Sequence, residues 1–267
     1  VDSGSTDGTR EWIDRRMRDD ARIRVLDIAP AEFNHGRTRN LGIFATTGDF
    51  IALTTQDATP VDRHWLERLA APLRVSAEVA GVTGRQIPYP DAPLCVRREI
   101  VNHFERLDRA PAIFRRSEGD WSNESFRQDA HFFSNNNAML RRIAWEQLPF
   151  PEAAFGEDQR WAAEALERGW AKAYARDAVV RHSHNYSLSE TFARHRTEAA
   201  YYRAAFGYVL VRRAREIPQL ALRELAADRV FQRTYPEWRV PISRLPRSLA
   251  LSVARLAGYW AGARQAQ

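Results

Sequence analysis

Two adjacent carboxylates, Glu157 and Asp158, stand where a helix is expected to begin. The residues after them repeat apolar side chains at helical spacing, and Gly169 supplies a stop signal. The dipole of a helix stabilises anions in its first turn, and an anionic carboxylate held rigidly there can accept a proton. The pair therefore fits a general base. An ordinary acidic first turn, with no role in chemistry, is the alternative that these residues alone leave open.

The first residues of the chain form a loop of small polar side chains, Asp2 to Thr9, directly after an apolar residue. Asp7 is a good N-cap for a helix expected over residues 10–18. A loop between strand and helix brings backbone N–H groups and an Asp to the sheet edge where nucleotides bind. A calcium loop is the alternative, although no bidentate Glu follows in the register of a 12-residue loop.

A third group of polar residues follows a buried strand expected over residues 50–53, where Asp57 precedes Pro60. A carboxylate at a strand end suits a divalent cation that also touches phosphates. Further along, His182 and His184 alternate in an extended segment and would share one face of a strand. A single histidine is usually structural or superficial, but two alternating histidines together with Asp57 predict a metal site.

Length, composition and charge restrict the possible classes of protein. The 267 residues, 44% of them hydrophobic, allow one large domain with an appendage. A single cysteine, Cys95, excludes an internal disulfide framework and a cysteine-based zinc cluster. No apolar run reaches membrane-spanning length, and no signal peptide is visible. The net charge of +6 comes from arginines spread along the whole chain, with Lys172 as the only lysine, so nucleic-acid binding is not expected.

Strands and helices are expected to alternate, which predicts an α/β fold with a mainly parallel sheet flanked by helices. The proline-rich segment 89–128 is predicted to be an irregular, mobile loop over the site, and the chain from residue 187 onward is predicted to be helical. The strands are expected over 23–28, 50–53 and 79–87, and the helices between them over 10–18, 36–46 and 61–73.

The chain resembles family 2 glycosyltransferases of the GT-A fold over roughly residues 1–200. Four short runs occur in the order typical of that family, at residues 2–9, 37–40, 56–58 and 156–158. Three longer runs, at residues 33–40, 54–58 and 182–187, look like the bacterial rhamnosyltransferase branch.

The resemblance implies a role for each matching residue. Asp2 falls where the family contacts the nucleotide base, and Asp7 is a weaker candidate in the same loop. Arg39 would face the nucleotide or its diphosphate. Asp158 matches the catalytic base, while Glu157 would position the acceptor or the helix terminus. Asp57 matches the last Asp of the Asp-x-Asp motif and would bind the metal together with a histidine after the last core strand, His184 in preference to His182.

Two departures from the family pattern change what we expect. Thr55 replaces the first Asp of the metal motif, so Mg²⁺ or Mn²⁺ would bind through one carboxylate fewer, weakly or dispensably. The first strand and helix of the GT-A fold are expected before Val1 and are missing, which predicts a truncated protein of little activity. The catalytic domain is expected at residues 1–188, and a helical region at 189–267.

The implied function is inverting transfer of a sugar, with L-rhamnose from dTDP-L-rhamnose as the expected donor group. The acceptor would be a hydroxyl of a glycan or lipid-linked glycan in cell-surface polysaccharide synthesis, such as that of O-antigen. The expected location is the cytoplasm, with peripheral contact to the inner face of the plasma membrane. Two alternatives stay open: a non-catalytic nucleotide-sugar-binding module and a basic membrane-associated adaptor.

The last helix expected, over residues 245–261, carries an apolar face with flanking arginines and with Tyr259 and Trp260 near its end. This pattern fits a helix lying on an anionic membrane. The alternative, which we favour, is that the helix packs on the catalytic domain or on a second subunit.

Overall fold

A six-stranded mixed sheet forms the centre of the computed structural model, which describes residues 1–153 and 155–265. The order across the sheet is β1-β5-β3-β6-β2. β4 pairs with the beginning of β6, on the same edge of β6 as β2 and opposite to β3. The strands are β1 Phe50–Thr54, β2 Thr59–Pro60, β3 Val79–Ile87, β4 Ile113–Phe114, β5 Asn137–Arg141 and β6 Ala171–Arg181.

The strand directions correct one part of the predicted fold. The α/β architecture with flanking helices is confirmed, but only the β3–β6 pair is parallel among the named strands. β5 runs antiparallel to both β1 and β3, so β1, β3 and β6 share one direction. The antiparallel strands are those that the sequence did not predict. β5 starts beside the end of β1 and the middle of β3, and it runs in the direction opposite to both.

Ten α-helices surround the sheet within the described residues. The helices expected before residue 75 form within a few residues of their predicted bounds. They are α1 Thr9–Asp19, α2 His35–Phe44, α3 Trp65–Val75, α4 Leu94–Arg109, α5 Glu124–His131, α6 Arg142–Gln147, α7 Glu157–Glu167, α8 Leu188–Phe206, α9 Ile217–Thr234 and α10 Leu245–Gly262.

The core lies on both faces of the sheet because successive strand residues point to opposite sides. Along β5, Ala138 and Leu140 join a cluster with Trp161 of α7, whereas Met139 joins the cluster with Leu69 of α3. Both faces of a central strand are therefore buried, which explains why β5 shows no alternation of apolar and polar residues.

The predicted strand over 23–28 is wrong. This segment is extended but forms only an isolated parallel bridge between Asp2 and Asp27. The Asp2 N–H donates to the Leu26 carbonyl at 2.8 Å, and the Ile28 N–H donates to the Asp2 carbonyl at 2.9 Å. A ladder needs a run of partner residues, and here Asp2 alone lies beside the segment.

The prediction of an irregular loop over 89–128 is also wrong, because the segment contains α4, β4 and α5. Pro93 directly precedes α4 and Pro111 follows its end, so the prolines bound a helix instead of preventing one. The side chains that anchor α4 recur at helical spacing and are buried: Leu94, Val101, Phe104 and Leu107.

The helical prediction for the C-terminal region is confirmed for residues 188–265; residues 266–267 lie outside the described part of the chain. α10 packs closely against α8, where a Cβ on Gly262 would lie 2.0 Å from the Arg196 carbonyl. Tyr259 and Trp260 pack against a buried cluster that includes Leu256. The favoured alternative for this helix, packing on the protein, is thus what the structure shows. No described helix is long and apolar enough to cross a membrane.

Buried ion pairs fasten these helices to the sheet domain. The Arg98 guanidinium of α4 donates to the Asp228 carboxylate of α9 at 2.6 Å. Asp228 also accepts a hydrogen bond from the Ser248 hydroxyl of α10 at 3.0 Å. Removing one member of such a group would leave a buried charge unpaired, so the three helices are held in a defined arrangement.

Asn137, the first residue of β5, satisfies the backbone where the β3–β6 ladder shifts register. Its amide nitrogen donates to the carbonyls of Arg85 and Ala178 at 2.9 and 2.8 Å, and its amide oxygen accepts from Trp65 Nε1 at 2.7 Å. The register changes between Gly84 and Arg85, so these carbonyls lack regular ladder partners.

We expect Asn137→Ala to lower the free energy of unfolding by about 2–4 kcal/mol, because it leaves three buried polar groups without a partner. Urea denaturation measures the loss. The matched control is Asn102→Ala, on the exposed side of α4, which should change the free energy little. Equal stability of the two variants would contradict the proposed role of the amide.

Candidate functional site

The carboxyl ends of β1, β3 and β6 open into one cleft with a volume of about 1290 Å³. Loops after strands and the starts of helices line it, as in other open α/β sheets. The structure brings every site residue predicted from the sequence to this cleft: Asp2, Asp7, Arg39, Asp57, Glu157, Asp158, His182 and His184.

Asp57 and two histidines converge at the floor of the cleft. The Asp57 Oδ2 atom lies 3.4 Å from His182 Nε2 and 3.7 Å from His184 Nε2. β6 ends at Arg181, so the expectation that both histidines belong to one strand is wrong. The loop that follows nevertheless turns both rings toward Asp57.

The hydrogen bonds of His182 favour one tautomer of its ring. Its Nδ1 lies 3.0 Å from Gln86 Oε1, and its Nε2 lies 3.1 Å from the Asn136 amide nitrogen. These partners favour a proton on Nδ1 and a lone pair on Nε2. Burial is the main cause that lowers the pKa of His182 and of His184, so both rings are neutral ligands near pH 7.

Asp57 stays ionised beside these rings. Burial alone would raise the pKa of Asp57, but the Thr55 hydroxyl, which donates to Oδ1 at 2.5 Å, and the two histidines hold it below its usual value. Thr55 stands where the family pattern has a second carboxylate, and its hydroxyl donates a hydrogen bond to the carboxylate that remains, Asp57.

The three donor atoms fit a divalent cation. A metal with bonds of about 2.1 Å holds neighbouring ligand atoms about 3–3.5 Å apart. The separations of 3.4 and 3.7 Å from Asp57 require only small side-chain shifts. Among the described residues, no other group of three histidine, cysteine or acidic side chains lies close enough to hold a metal. The calcium-loop alternative at the N-terminus therefore gains no support.

Glu157 is buried at the start of α7, and one of its carboxylate oxygens has two donors. Its Oε1 atom accepts from Arg39 Nη1 at 2.7 Å and from the Asn135 amide at 3.1 Å. Gly156, at φ 69°, turns the chain into the helix, and its carbonyl accepts from the Tyr201 hydroxyl at 2.7 Å. A carboxylate committed to two strong donors is suited to positioning and not to proton transfer.

Asp158 is half-buried at the cleft wall, next to that anion. Its Oδ2 atom accepts from the Asn135 backbone N–H at 3.2 Å, and its Oδ1 atom from the Gln159 N–H at 2.8 Å. Burial, followed by the neighbouring Glu157 charge, raises the pKa of Asp158 to about 7. A carboxylate with a pKa near neutrality is suited to general-base catalysis.

Asp2 and Asp7 line the same cleft and have local hydrogen bonds. The Asp2 carboxylate accepts from the Ser5 hydroxyl at 2.6 Å, the main cause that lowers the pKa of Asp2. The Asp7 carboxylate accepts at 3.1 Å from the backbone N–H of Thr9, the first residue of α1, but the N-cap of that helix is Gly8 and not Asp7 as predicted. Both residues line the cleft, and Asp7 also accepts a hydrogen bond from the first turn of α1.

The sequence interpretation missed the amide-rich run that leads into β5, residues 134–137. Asn135 holds both carboxylates of the acidic pair, through its side chain and its backbone N–H. Asn136 contacts His182 and also accepts from the Thr55 hydroxyl at 3.3 Å. The available signal was the run of three asparagines, two before the buried strand β5 and one at its first position, because side chains there lie at the edge of a sheet.

The comparisons with known sequences agree on one family. The sequence profile described as "Glycosyl transferase family 2" matches residues 1–148. The chain is 35% identical over 199 residues to the O-antigen chain rhamnosyltransferase WbaN of Salmonella anatum. It is 36% identical over 203 residues to the O-antigen chain rhamnosyltransferase RfbN of Salmonella typhimurium. Each match covers 73% of this chain and 59% of the relative, so the chain spans less than two thirds of these proteins.

Solved structures share the fold. The mannosyltransferase PcManGT from Pyrobaculum calidifontis, in complex with GDP-Man and Mn²⁺, has a TM-score of 0.59 at 17% identity and covers 100% of this chain and 76% of its own. TarS 1–349 from S. aureus has a TM-score of 0.50 at 15% identity, covering 100% of this chain and 81% of its own. The predicted GT-A fold is thereby confirmed.

We expect the protein to bind Mn²⁺ and Asp57→Ala to weaken that binding by more than about tenfold. Losing a hydrogen-bond partner of a metal ligand typically costs 10- to 100-fold in affinity, and losing a ligand should cost at least as much. Calorimetric titration measures the change. Asp49→Ala, which removes an exposed carboxylate outside the cleft lining, is the control and should bind Mn²⁺ normally. Unchanged affinity in Asp57→Ala would place the metal elsewhere.

Proposed function

The chain belongs to glycosyltransferase family 2, and on that premise we propose that it is an inverting glycosyltransferase. The sugar moved is L-rhamnose, from dTDP-L-rhamnose to a hydroxyl of a glycan or lipid-linked glycan in O-antigen synthesis. The observation that carries the proposal is the position of Asp158, whose pKa is about 7, in the same cleft as the Asp57–histidine cluster.

Support for the donor comes from the relatives and not from the cleft itself. Both Salmonella relatives are named O-antigen chain rhamnosyltransferases. The runs 33–40, 54–58 and 182–187 look like the same branch. No described side chain distinguishes a 6-deoxy sugar by its chemistry alone, so the assignment of the sugar depends on similarity.

The leaving group of the proposed reaction is a diphosphate, whose negative charge must be neutralised at the Asp57–histidine cluster. A nucleoside-diphosphate sugar loses its diphosphate from the anomeric carbon, and negative charge grows on the departing phosphate oxygen. A divalent cation at Asp57, His182 and His184 would neutralise that charge. Two imidazole nitrogens with one carboxylate are a poor set for Mg²⁺, which prefers oxygen ligands. The rings are neutral and Asp57 is ionised near pH 7, so all three can act as ligands once the Asn136 amide gives up its hydrogen bond to His182 Nε2.

Asp158 supplies the other half of the reaction. Its carboxylate takes the proton of the acceptor hydroxyl while that oxygen forms a bond to the anomeric carbon. The bond to the diphosphate breaks on the opposite face, so the configuration inverts and the diphosphate leaves with the electron pair. General-base assistance of this kind typically contributes about 10²–10⁴-fold in rate. Asn135 fixes the carboxylate through its backbone N–H.

The other predicted residues take supporting roles. Glu157, bound to Arg39, orients the start of α7 and the base beside it. Asp2 and Asp7, which line the same cleft, would contact the nucleoside. We also propose that residues 1–188 form the catalytic domain and 189–267 a helical region. The lipid-linked acceptor would bring the enzyme to the inner face of the plasma membrane from the cytoplasm.

The first experiment tests the donor. We expect full-length protein with Mn²⁺ to transfer rhamnose from dTDP-L-rhamnose and to ignore UDP-glucose, UDP-galactose and GDP-mannose, because its sequence groups with rhamnosyltransferases. Transfer from radiolabelled donors to lipid-linked glycan measures this. Transfer of glucose or galactose with no rhamnose transfer would overturn the donor. Donor binding without transfer or hydrolysis would favour a non-catalytic binding module, and salt-dependent lipid binding without donor binding would favour an adaptor.

The second experiment tests the base. Asp158→Asn should lower kcat by about 10²–10⁴-fold with little change in donor KM, because the carboxylate acts only in the transition state. In the wild type, kcat/KM should fall as pH drops below about 7, where Asp158 gains a proton, and this limb should vanish in the variant. Glu157→Gln, which keeps the size of the side chain, should reduce kcat less. A near-normal kcat in Asp158→Asn would mean that the base lies elsewhere.

A further inference from the structure

Arg194 of α8 reaches the cleft although it lies outside the predicted catalytic domain. Its side chain lines the same cleft as the Asp57–histidine cluster and the acidic pair. The guanidinium carbon lies 4.4 Å from the centre of the Phe155 ring, immediately before Gly156 and the start of α7. Stacking on an aromatic ring restricts the side chain while leaving its N–H groups available to a ligand.

The charge of Arg194 is not matched by an acidic group in the described part of the chain. No carboxylate among residues 1–153 and 155–265 lies within 4.0 Å of its guanidinium. Arg39, the neighbouring cleft arginine, is instead committed to Glu157 at 2.7 Å. A third cleft arginine, Arg24, donates to the Ala45 carbonyl. Within the described stretches of the chain, Arg194 therefore differs from Arg39 in having no carboxylate partner, and from Arg24 in having no backbone carbonyl that holds its guanidinium.

The Arg194 side chain lines the same cleft as His182 and His184. The Phe155 ring holds the guanidinium, but neither that ring nor the two neutral imidazoles supply a negative charge. An anion bound between α8 and the cluster would supply that charge.

The charges of the proposed donor complex support this explanation. A divalent cation on Asp57 and two neutral histidines has one net positive charge, while the diphosphate of a nucleotide sugar has two negative charges. One negative charge of the diphosphate is thus left without a partner. This excess charge is negative with Thr55, and it would also be negative if an Asp stood at that position. A guanidinium pairs with phosphate through two parallel hydrogen bonds, which an ammonium group cannot do.

We propose that Arg194 binds the diphosphate of the donor from the α8 side, across from the metal-binding cluster. This inference rests on the proposed glycosyltransferase function and deepens it, since it makes the C-terminal helical region part of the donor site. Arg194 would hold the diphosphate in the ground state and gain strength as negative charge grows on the leaving group. The helices after residue 188 would then be required for donor binding and not only for stability.

The test compares the affinity for dTDP in the presence of Mn²⁺ among the wild type, Arg194→Met, Arg194→Lys and Arg196→Met. Arg196 is the matched control, because it lies on the same helix, stacks on Phe192 at 5.9 Å and does not line the cleft. We expect Arg194→Met to weaken dTDP binding by about tenfold or more, since a hydrogen bond to a charged group contributes on this scale. Arg194→Lys should restore part of the loss, and Arg196→Met should bind like the wild type.

Thymidine, which has no phosphate, separates a phosphate contact from a structural effect. Its affinity should be the same in Arg194→Met and the wild type, whereas a distorted cleft would weaken both ligands. Wild-type dTDP binding with an equal affinity in Arg194→Met would overturn this inference and leave the proposed function standing. Failure of the wild type to bind dTDP, UDP or GDP with Mn²⁺ would overturn both.

Discussion

The buried carboxylate of Glu157 needs partners, and satisfying it organises the cleft. An anion removed from water is costly unless a cation and hydrogen-bond donors surround it. Arg39 of α2 and Asn135 before β5 supply them, at 2.7 and 3.1 Å. These contacts join three segments that are distant in sequence. They also fix an anion beside Asp158, which together with burial raises the pKa of Asp158 to about 7. The contacts that hold Glu157 in place thus also contribute to the raised pKa of Asp158.

The mixed sheet places more residues at the cleft than a parallel sheet would, because the antiparallel strand β5 begins beside the end of β1. β1 and β6 end there and lead into Asp57 and the two histidines. β5 runs in the opposite direction and begins at the same edge, opposite Thr54 and Thr83. The residues that precede β5 therefore lie among those that follow the other strands. In this way Asn135 and Asn136 reach both the acidic pair and the metal-binding cluster.

The C-terminal helices belong to the same assembly. α8 contributes Arg194 to the cleft, and Tyr201 of that helix donates to the Gly156 carbonyl at the turn before the acidic pair. Buried ion pairs hold α9 and α10 against α4, which itself lines the cleft. A change in the packing of these helices would thus alter the position of the turn at Gly156, where α7 begins. The boundary predicted at residue 188 marks a change in secondary structure but does not separate the cleft from the helices.

The sequence by itself determined the local features: the helix that starts at Glu157, the strand before Asp57, the paired histidines and the family to which these motifs belong. Such features depend on neighbouring residues, on caps and on periodicity, which are written along the chain. Sequence reasoning placed α4 in a loop, because prolines that bound a helix and prolines that break one look alike. It also missed β5, since a strand buried on both faces shows no alternation.

Only the tertiary structure decided which distant groups meet. The ion pair between Arg39 and Glu157, the amide of Asn135 between the two carboxylates and the position of Arg194 depend on how segments pack across the cleft. The pKa of Asp158 follows from burial and from a neighbouring charge whose own partner comes from another helix. Desolvation and charge pairing are properties of three-dimensional surroundings, so residue types and spacing could nominate Asp158 as a base but could not give its pKa.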